Sequence, residues 1–238
     1  MKTVVGKVVV LGYQGVGKTS TVIRYVENTF TKQIAPTVGA SFFTRKIRVE
    51  DTVVTLQIWD TAGQERFKAM APMFYRNANA ALLIFDITSK TSFESMKGWV
   101  QELKGNVEEP MVLVVVGNKI DLAAKREVSR DEALQYSKSI GASYLECSAM
   151  TDQCTLADKI CAEIVLLLFQ GVGVIFDKIA IGLLSLSGQN VAHTLKVYDN
   201  EIMAPSSELE ATDTANEETV NISIKSIAHG RSVGWKCC

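Results

Sequence analysis

Gly12-Tyr13-Gln14-Gly15-Val16-Gly17-Lys18-Thr19 fits the pattern G-x-x-x-x-G-K-S/T, with an apolar, β-branched run before it and a helical pattern after it. In that setting the glycines let consecutive backbone N–H groups turn toward phosphate oxygens, and the helix N-terminus adds a positive field. Lys18 reaches the outer phosphates and Thr19 offers a hydroxyl to Mg²⁺. The bland alternative is a glycine-rich turn that binds nothing. Four fixed positions with a strand before and a helix after weigh against it.

A phosphate loop serves kinases, ATPases and GTPases alike, so the base-reading residues decide. Asn118-Lys119-Ile120-Asp121 directly follows the apolar run 111–116. A carboxylate at Asp121 accepts hydrogen bonds from the N1–H and exocyclic amine of guanine. Adenine lacks both donors and would leave the carboxylate desolvated and unpaired, which disfavours an ATP-using kinase. Asp60 ends a strand-like run within Trp59-Asp60-Thr61-Ala62-Gly63-Gln64-Glu65. There a carboxylate can hold the water shell of Mg²⁺, Gly63 can bring its N–H to a γ-phosphate, and Gln64 can orient an attacking water. Singly, Asp60 could merely end its strand and Gln64 merely face solvent; as a set they indicate hydrolysis.

The elements that must position these residues alternate. Residues 4–11, 80–85 and 111–116 are strands buried on both faces of a parallel sheet. Phe93, Met96, Trp99, Val100 and Leu103 recur at helical spacing behind a capping box of Thr91 and Glu94, and Ser129 with Glu132 opens another helix. Residues 42–49 and 53–59, only three residues apart, form an antiparallel hairpin at one edge. The expected fold is α/β, a P-loop domain with a six-stranded mixed sheet, one antiparallel edge strand, and helices on both faces; its ligand sits beyond the carboxyl ends of the strands.

In order and spacing, Gly12–Thr19, Thr37 within Ala35–Phe42, Trp59–Glu65, Asn118–Asp121 and Cys147-Ser148-Ala149 resemble the five nucleotide motifs of Ras-superfamily GTPases, over about residues 4–186. Val38–Phe42, Glu65–Met70, Phe74–Arg76 and Leu83–Thr88 are similar to the stretches that set Rab proteins apart. Gly39–Phe43 with Met70–Met73 is similar to the early-endosomal subgroup. The resemblance implies a Mg²⁺-dependent GTP-binding and GTP-hydrolysing switch in vesicular traffic, on the cytoplasmic face of endosomal or other vesicle membranes and cycling with cytosol. It places Gln14, Gly15, Val16, Gly17, Lys18, Thr19, Ser20 and Gly63 around the phosphates, Thr37 with Thr19 and Asp60 on the metal, and Gln64 in the catalytic role. Phe30 then packs against guanine, beside Asn118, Lys119, Asp121, Ser148, Ala149 and Met150. Phe42, Trp59 and Phe74 match an effector-facing aromatic triad, for which core burial is the competing reading, an even match for Trp59. Implied partners are GTP/GDP, an exchange factor, a GTPase-activating protein, a dissociation inhibitor or escort protein, and effectors. Two departures stand out: Gln14 replaces a small residue, and Met150 replaces a lysine. A hydrolysis-deficient, GTP-bound scaffold is the alternative function.

The 238 residues are 47% hydrophobic and 21% charged with a net charge of −1, so there is no basic excess to neutralise a run of nucleic-acid phosphates. Five cysteines and no secretory pattern point to a reducing, cytosolic setting, and the longest uncharged apolar run, 164–176, is too short to span a bilayer. From 187 to 236 polar residues accumulate, with four basic and seven acidic side chains, a net of −3. The division is therefore a domain over 1–186 and a flexible tail over 187–238. The tail ends in Cys237 and Cys238, which resemble the paired cysteines that Rab prenylation machinery modifies. An acidic tail supplies no polybasic second signal, so two lipids are expected.

Residues 154–170 interrupt the family pattern, which runs on if Gln153 is joined to Gly171. They carry helical spacing of their own, and Leu166–Gln170 resembles a translated pyrimidine tract ending in CAG. The expectation is that the helix beginning near Val174 takes the groove beside the first strand and the insertion is extruded.

Overall fold

The computed structural model describes residues 2–64, 70–156, 171–189 and 192–199. Its centre is a sheet of β1 (Lys2–Leu11), β2 (Ala40–Val49), β3 (Thr52–Thr61), β4 (Ala80–Asp86), β5 (Val112–Asn118) and β6 (Ser143–Ser148), in the order β2-β3-β1-β4-β5-β6. β2 runs antiparallel to β3, and the other neighbours in that order are parallel. The expected six-stranded mixed core with one antiparallel edge is present.

Period-two alternation between two buried faces explains why the central strands have almost no polar residues. On β1, Val4, Val8 and Val10 enter one core and Val9 and Leu11 the other. The first core is closed by α1 (Lys18–Glu27) and α5 (Gly173–Gln189), through Val22, Val26, Ile175, Phe176, Ile179 and Leu183. The second is closed by α2 (Ala71–Tyr75), α3 (Lys90–Asn106) and α4 (Arg130–Ser139). A short 3₁₀ turn spans Ile120–Lys125.

Four local features differ from the sequence reading. The N-cap of α3 is Ser89, whose Oγ accepts from the Ser92 N–H at 3.2 Å; Thr91 already lies inside the helix. Both residues fit a capping pattern, and the helix takes the earlier one, which satisfies an orphan N–H sooner along the chain. The Ser129 cap, accepting from Glu132 N–H at 3.2 Å, is as expected. Beyond β6, β7 (Gln153–Leu156) adds a second antiparallel edge, and its Cys154 forms a disulfide with register partner Cys147, Cα atoms 4.1 Å apart, which the odd cysteine count does not anticipate.

The remaining two differences lie past residue 186, the expected domain limit. α5 continues to Gln189, and β8 (Lys196–Asp199) pairs antiparallel with Lys2–Val5 of β1. β3 occupies one edge of β1 along its length, but β4 joins the other edge only from Val8 onward. Lys2–Val5 would otherwise present unpaired backbone groups, and β8 satisfies them. Leu195 is buried in the first core, and Thr194 Oγ1 donates to Glu109 at 2.6 Å while accepting from Asn79 at 2.9 Å.

α5 fills the groove beside α1: the Phe176 ring stacks on Tyr25 with centroids 3.8 Å apart and planes 9° apart. Residues 157–170, most of the insertion, lie outside the described residues, as do 200–238 with Cys237 and Cys238. Phe176→Ala is expected to cost about 3–5 kcal/mol in urea unfolding, because a fully buried ring leaves a cavity. A change within about 0.5 kcal/mol of the parent, the usual surface value, would show that another segment fills the groove.

Candidate functional site

The carboxyl ends of β1, β3, β5 and β6 open onto one cavity of about 480 Å³. Gln14, Gly15, Gly17, Lys18, Thr19, Ser20, Phe30, Thr37, Gly63, Gln64, Asn118, Lys119, Asp121, Ala149 and Met150 line it, joined by Leu122 and by Thr31–Lys32 and Ile34–Pro36. Val16, Asp60 and Ser148 stand behind this wall. The Val16 side chain is buried in the first core, Asp60 backs Thr19, and Ser148 backs Asp121.

At one end the loop after β1 delivers Lys18. Its Nζ donates to the carbonyls of Gly12 at 2.9 Å and Tyr13 at 3.0 Å, and burial lowers its pKa to about 8 against the opposing attraction of Asp60. A buried ammonium hydrogen-bonded only to carbonyls is a strong anion receptor. Gly17 has φ +96°, and a Cβ there would stand 2.3 Å from the Asn118 amide nitrogen. A Cβ on Gly63 would lie 2.3 Å from Lys18 Nζ and 2.7 Å from the Gln14 N. Only a hydrogen fits at either place, so backbone N–H groups can approach a ligand closely.

Beside Lys18, Thr19 Oγ1 donates to Asp60 Oδ2 at 2.6 Å and lies 2.8 Å from Thr37 Oγ1. Asp60 is fully buried, its Oδ1 has no hydrogen-bond partner among the described residues, and burial raises its pKa to about 6 despite the Thr19 hydrogen bond and the Lys18 charge. An orphaned buried carboxylate oxygen beside two hydroxyls is a donor set for a small hard cation. Mg²⁺ takes one or two carboxylates and fills its remaining positions with water and phosphate. Among the described residues no cluster of three or more His, Cys, Asp or Glu offers a softer or all-protein metal site. Thr19, Thr37 and Asp60 therefore fit Mg²⁺.

The opposite end is built on the turn after β6. Ser148 Oγ donates to Asp121 Oδ1 at 2.5 Å and accepts from the Thr151 N–H at 3.1 Å, which fixes one carboxylate oxygen and leaves the other to the cavity. Asn118, 2% exposed, donates from Nδ2 to Val16 O at 2.8 Å and accepts at Oδ1 from the Ala149 N–H at 3.2 Å. Its amide is committed to the protein, so its part in binding is to tie the two ends together.

Three supports escape the sequence reading. Asp86, at the end of β4, pairs with Lys119 Nζ at 2.7 Å, and Lys119 has φ +70°. Arg126 donates two hydrogen bonds to the Glu146 carboxylate, at 2.7 and 2.9 Å, bracing β6. Arg24 reaches the Ala149 and Met150 carbonyls. Asp86 and Glu146 read as strand residues in the sequence and Arg24 as a polar helix position, so no local signal marks them.

Phe42, Trp59 and Phe74 form a half-buried surface row, Phe42 edge-on to Trp59 at 5.3 Å and Trp59 6.3 Å from Phe74, with Lys7 Nζ 5.1 Å above Trp59. Trp59 is thus at the surface rather than in the core. Residues 65–69 lie outside the described residues, and among the described residues no helix is long and apolar enough to cross a membrane.

Residues 7–164 match the model of the Ras family. The chain is 46% identical to the Ras-related protein RabJ of Dictyostelium discoideum over 147 residues, 62% of this chain and 57% of that protein. It is 49% identical to human Rab-21 over 143 residues, 60% of this chain and 64% of the relative. With RABF2b of Arabidopsis thaliana it shares 44% over 150 residues, 63% of this chain and 75% of the relative. The chain thus spans less than two thirds of the length of the first two.

The burial of Asp60 generates a test. Because its folded pKa is raised, the ionised carboxylate opposes folding as pH rises from about 4 to above 6. Asp60→Asn is expected to stabilise ligand-free protein by roughly 1–2 kcal/mol at pH 7 and by almost nothing near pH 3, below the unfolded pKa, and to abolish stabilisation by Mg²⁺ with nucleotide at pH 7. Urea unfolding at the two pH values checks this; loss of stability at pH 7 would contradict it.

Proposed function

The chain belongs to the Ras family, and from that membership we propose that it is a Mg²⁺-dependent GTP-binding and GTP-hydrolysing switch of the Rab kind, acting in vesicular and chiefly endosomal membrane traffic. The observation that carries this reading is the pairing, in one cavity, of a base end set by Asp121 with a phosphate end set by Lys18, Thr19 and Asp60.

Guanine would enter between Phe30 and the Ala149–Met150 turn. Asp121 keeps one carboxylate oxygen on Ser148, so its free oxygen and remaining lone pairs meet the N1–H and amine of the base. The phosphates would follow the Gly15–Lys18 backbone, and Lys18 would exchange its carbonyl partners for phosphate oxygens, which favours its charged form. When bound at Thr19, Thr37 and Asp60, Mg²⁺ would neutralise charge on the outer phosphates.

Gln64 lines the cavity beside Gly63 and would orient the attacking water through its amide. Thr37 and Gly63 sit on separate segments that a γ-phosphate would draw together. Hydrolysis would release them, converting one bond cleavage into a change of surface shape beside Phe42, Trp59 and Phe74. That row would be read by effectors, while an exchange factor, an activating protein and an escort protein would act on the same cycle. Cys237 and Cys238 would carry the lipids that hold the protein at the membrane.

Gln64→Leu is expected to keep GTP affinity within about twofold and to slow single-turnover hydrolysis at least tenfold, since the water loses its orienting amide while every phosphate contact stays. Unchanged hydrolysis would refute the role, and an equally inactive parent protein would favour a GTP-bound scaffold. Replacing both Cys237 and Cys238 by Ser is expected to move the protein from membranes to the soluble fraction in cell fractionation; unaltered membrane recovery would place the anchor elsewhere.

A further inference from the structure

Arg24 lies on α1 outside the cavity wall, half-buried, yet it touches several of the pieces that form the base end. Its Nε donates to the Ala149 carbonyl at 2.9 Å, Nη2 to the Met150 carbonyl at 3.0 Å, and Nη1 to the Asn28 carbonyl at 3.1 Å. Its guanidinium carbon stands 6.0 Å from the centroid of the Phe30 ring.

These contacts fall on two segments far apart in sequence. Ala149 and Met150 form the turn after β6. With its N–H on Asn118 and its carbonyl on Arg24, Ala149 has both backbone polar groups committed. Asn28 caps α1 in a left-handed conformation, φ 53° and ψ 29°, with its N–H on the Arg24 carbonyl at 3.0 Å and its own carbonyl on the Arg24 side chain. Arg24 therefore also sets the direction in which the chain leaves α1, and Phe30 follows two residues later.

We propose that Arg24 is a positioning residue for the base end of the nucleotide cleft, one guanidinium fixing the spacing between the Ala149–Met150 turn and Phe30 so that guanine is held between them. This rests on the reading of the cavity as a guanine-nucleotide site. The planar fork explains the residue type. Charge-assisted bonds to two successive carbonyls of one turn and a third across the gap need donors in a fixed plane, which a lysine ammonium does not provide. The Arg24 contacts with Asn28, Phe30, Ala149 and Met150 all lie at the base end, so its influence falls on the base.

The test is release of fluorescently labelled GDP from the full chain, chased with excess unlabelled GDP in Mg²⁺. Arg24→Gln is expected to speed release on the order of tenfold, and Arg24→Lys to fall between it and the parent. Chelating Mg²⁺ should multiply the rate by the same factor in parent and variant, because the phosphate end is untouched. Combined with Phe30→Leu, the acceleration should fall short of the product of the single effects, since both changes loosen one contact; a merely structural role would give the full product. Parent-like release in both Arg24 variants, or a full product in the cycle, overturns the inference. Should Arg24→Gln fail to fold, Arg24→Lys carries the same test alone. A parent protein that retains no GDP overturns the site reading and this inference together, whereas retention by the parent with unchanged variants overturns the inference alone.

Discussion

The Asn118 side chain is the contact on which the site depends. Its amide joins the Val16 carbonyl of the loop after β1 to the Ala149 N–H of the turn after β6. β4 and β5 lie between β1 and β6 in the sheet, so without that bridge the two loops would be set only by the twist of the strands beneath them. The bridge is buried, where a broken hydrogen bond costs about 1–3 kcal/mol per stranded group. It also explains the glycine that precedes Lys18: any side chain at Gly17 would collide with the Asn118 amide.

Around that bridge the two ends follow opposite electrostatic logic. At the phosphate end charge is buried and, among the described residues, left incompletely partnered, with Lys18 hydrogen-bonded to the Gly12 and Tyr13 carbonyls and Asp60 with one oxygen orphaned. Burial pulls the two pKa values toward each other, Lys18 down to about 8 and Asp60 up to about 6. Groups displaced in this way favour a ligand that supplies the missing counter-charge. At the base end the polar groups are held by the protein, Lys119 by Asp86, Glu146 by Arg126, and one oxygen of Asp121 by Ser148, which leaves its other oxygen to the cavity. One end is held ready for ions and the other is held rigid for shape.

Residues that line the cavity and strands buried on both faces were legible in the sequence, because each is written as a short contiguous pattern. Gly12–Thr19, Asn118–Asp121 and the β-branched runs are of that kind. Supports that act across the fold were not. The pairing of Asp86 with Lys119, of Arg126 with Glu146, and of Arg24 with the Ala149–Met150 turn joins residues whose neighbours in sequence say nothing of them. β8 is four residues in a polar stretch, and its reason to exist is the uncovered edge of Lys2–Val5 rather than its own composition. The α3 cap shows a smaller failure, two overlapping patterns of which helix geometry selects Ser89 over Thr91.

In the proposed function the cavity would select guanine by pairing it with the Asp121 carboxylate while Lys18, Thr19 and Asp60 hold the phosphates. Calorimetric titration of nucleotide-free protein with GDP and with ADP, both in Mg²⁺, tests it most directly. GDP is expected to bind at least about 10⁴-fold more tightly, because adenine leaves a desolvated carboxylate unpaired. Equal affinities for the two nucleotides would contradict it.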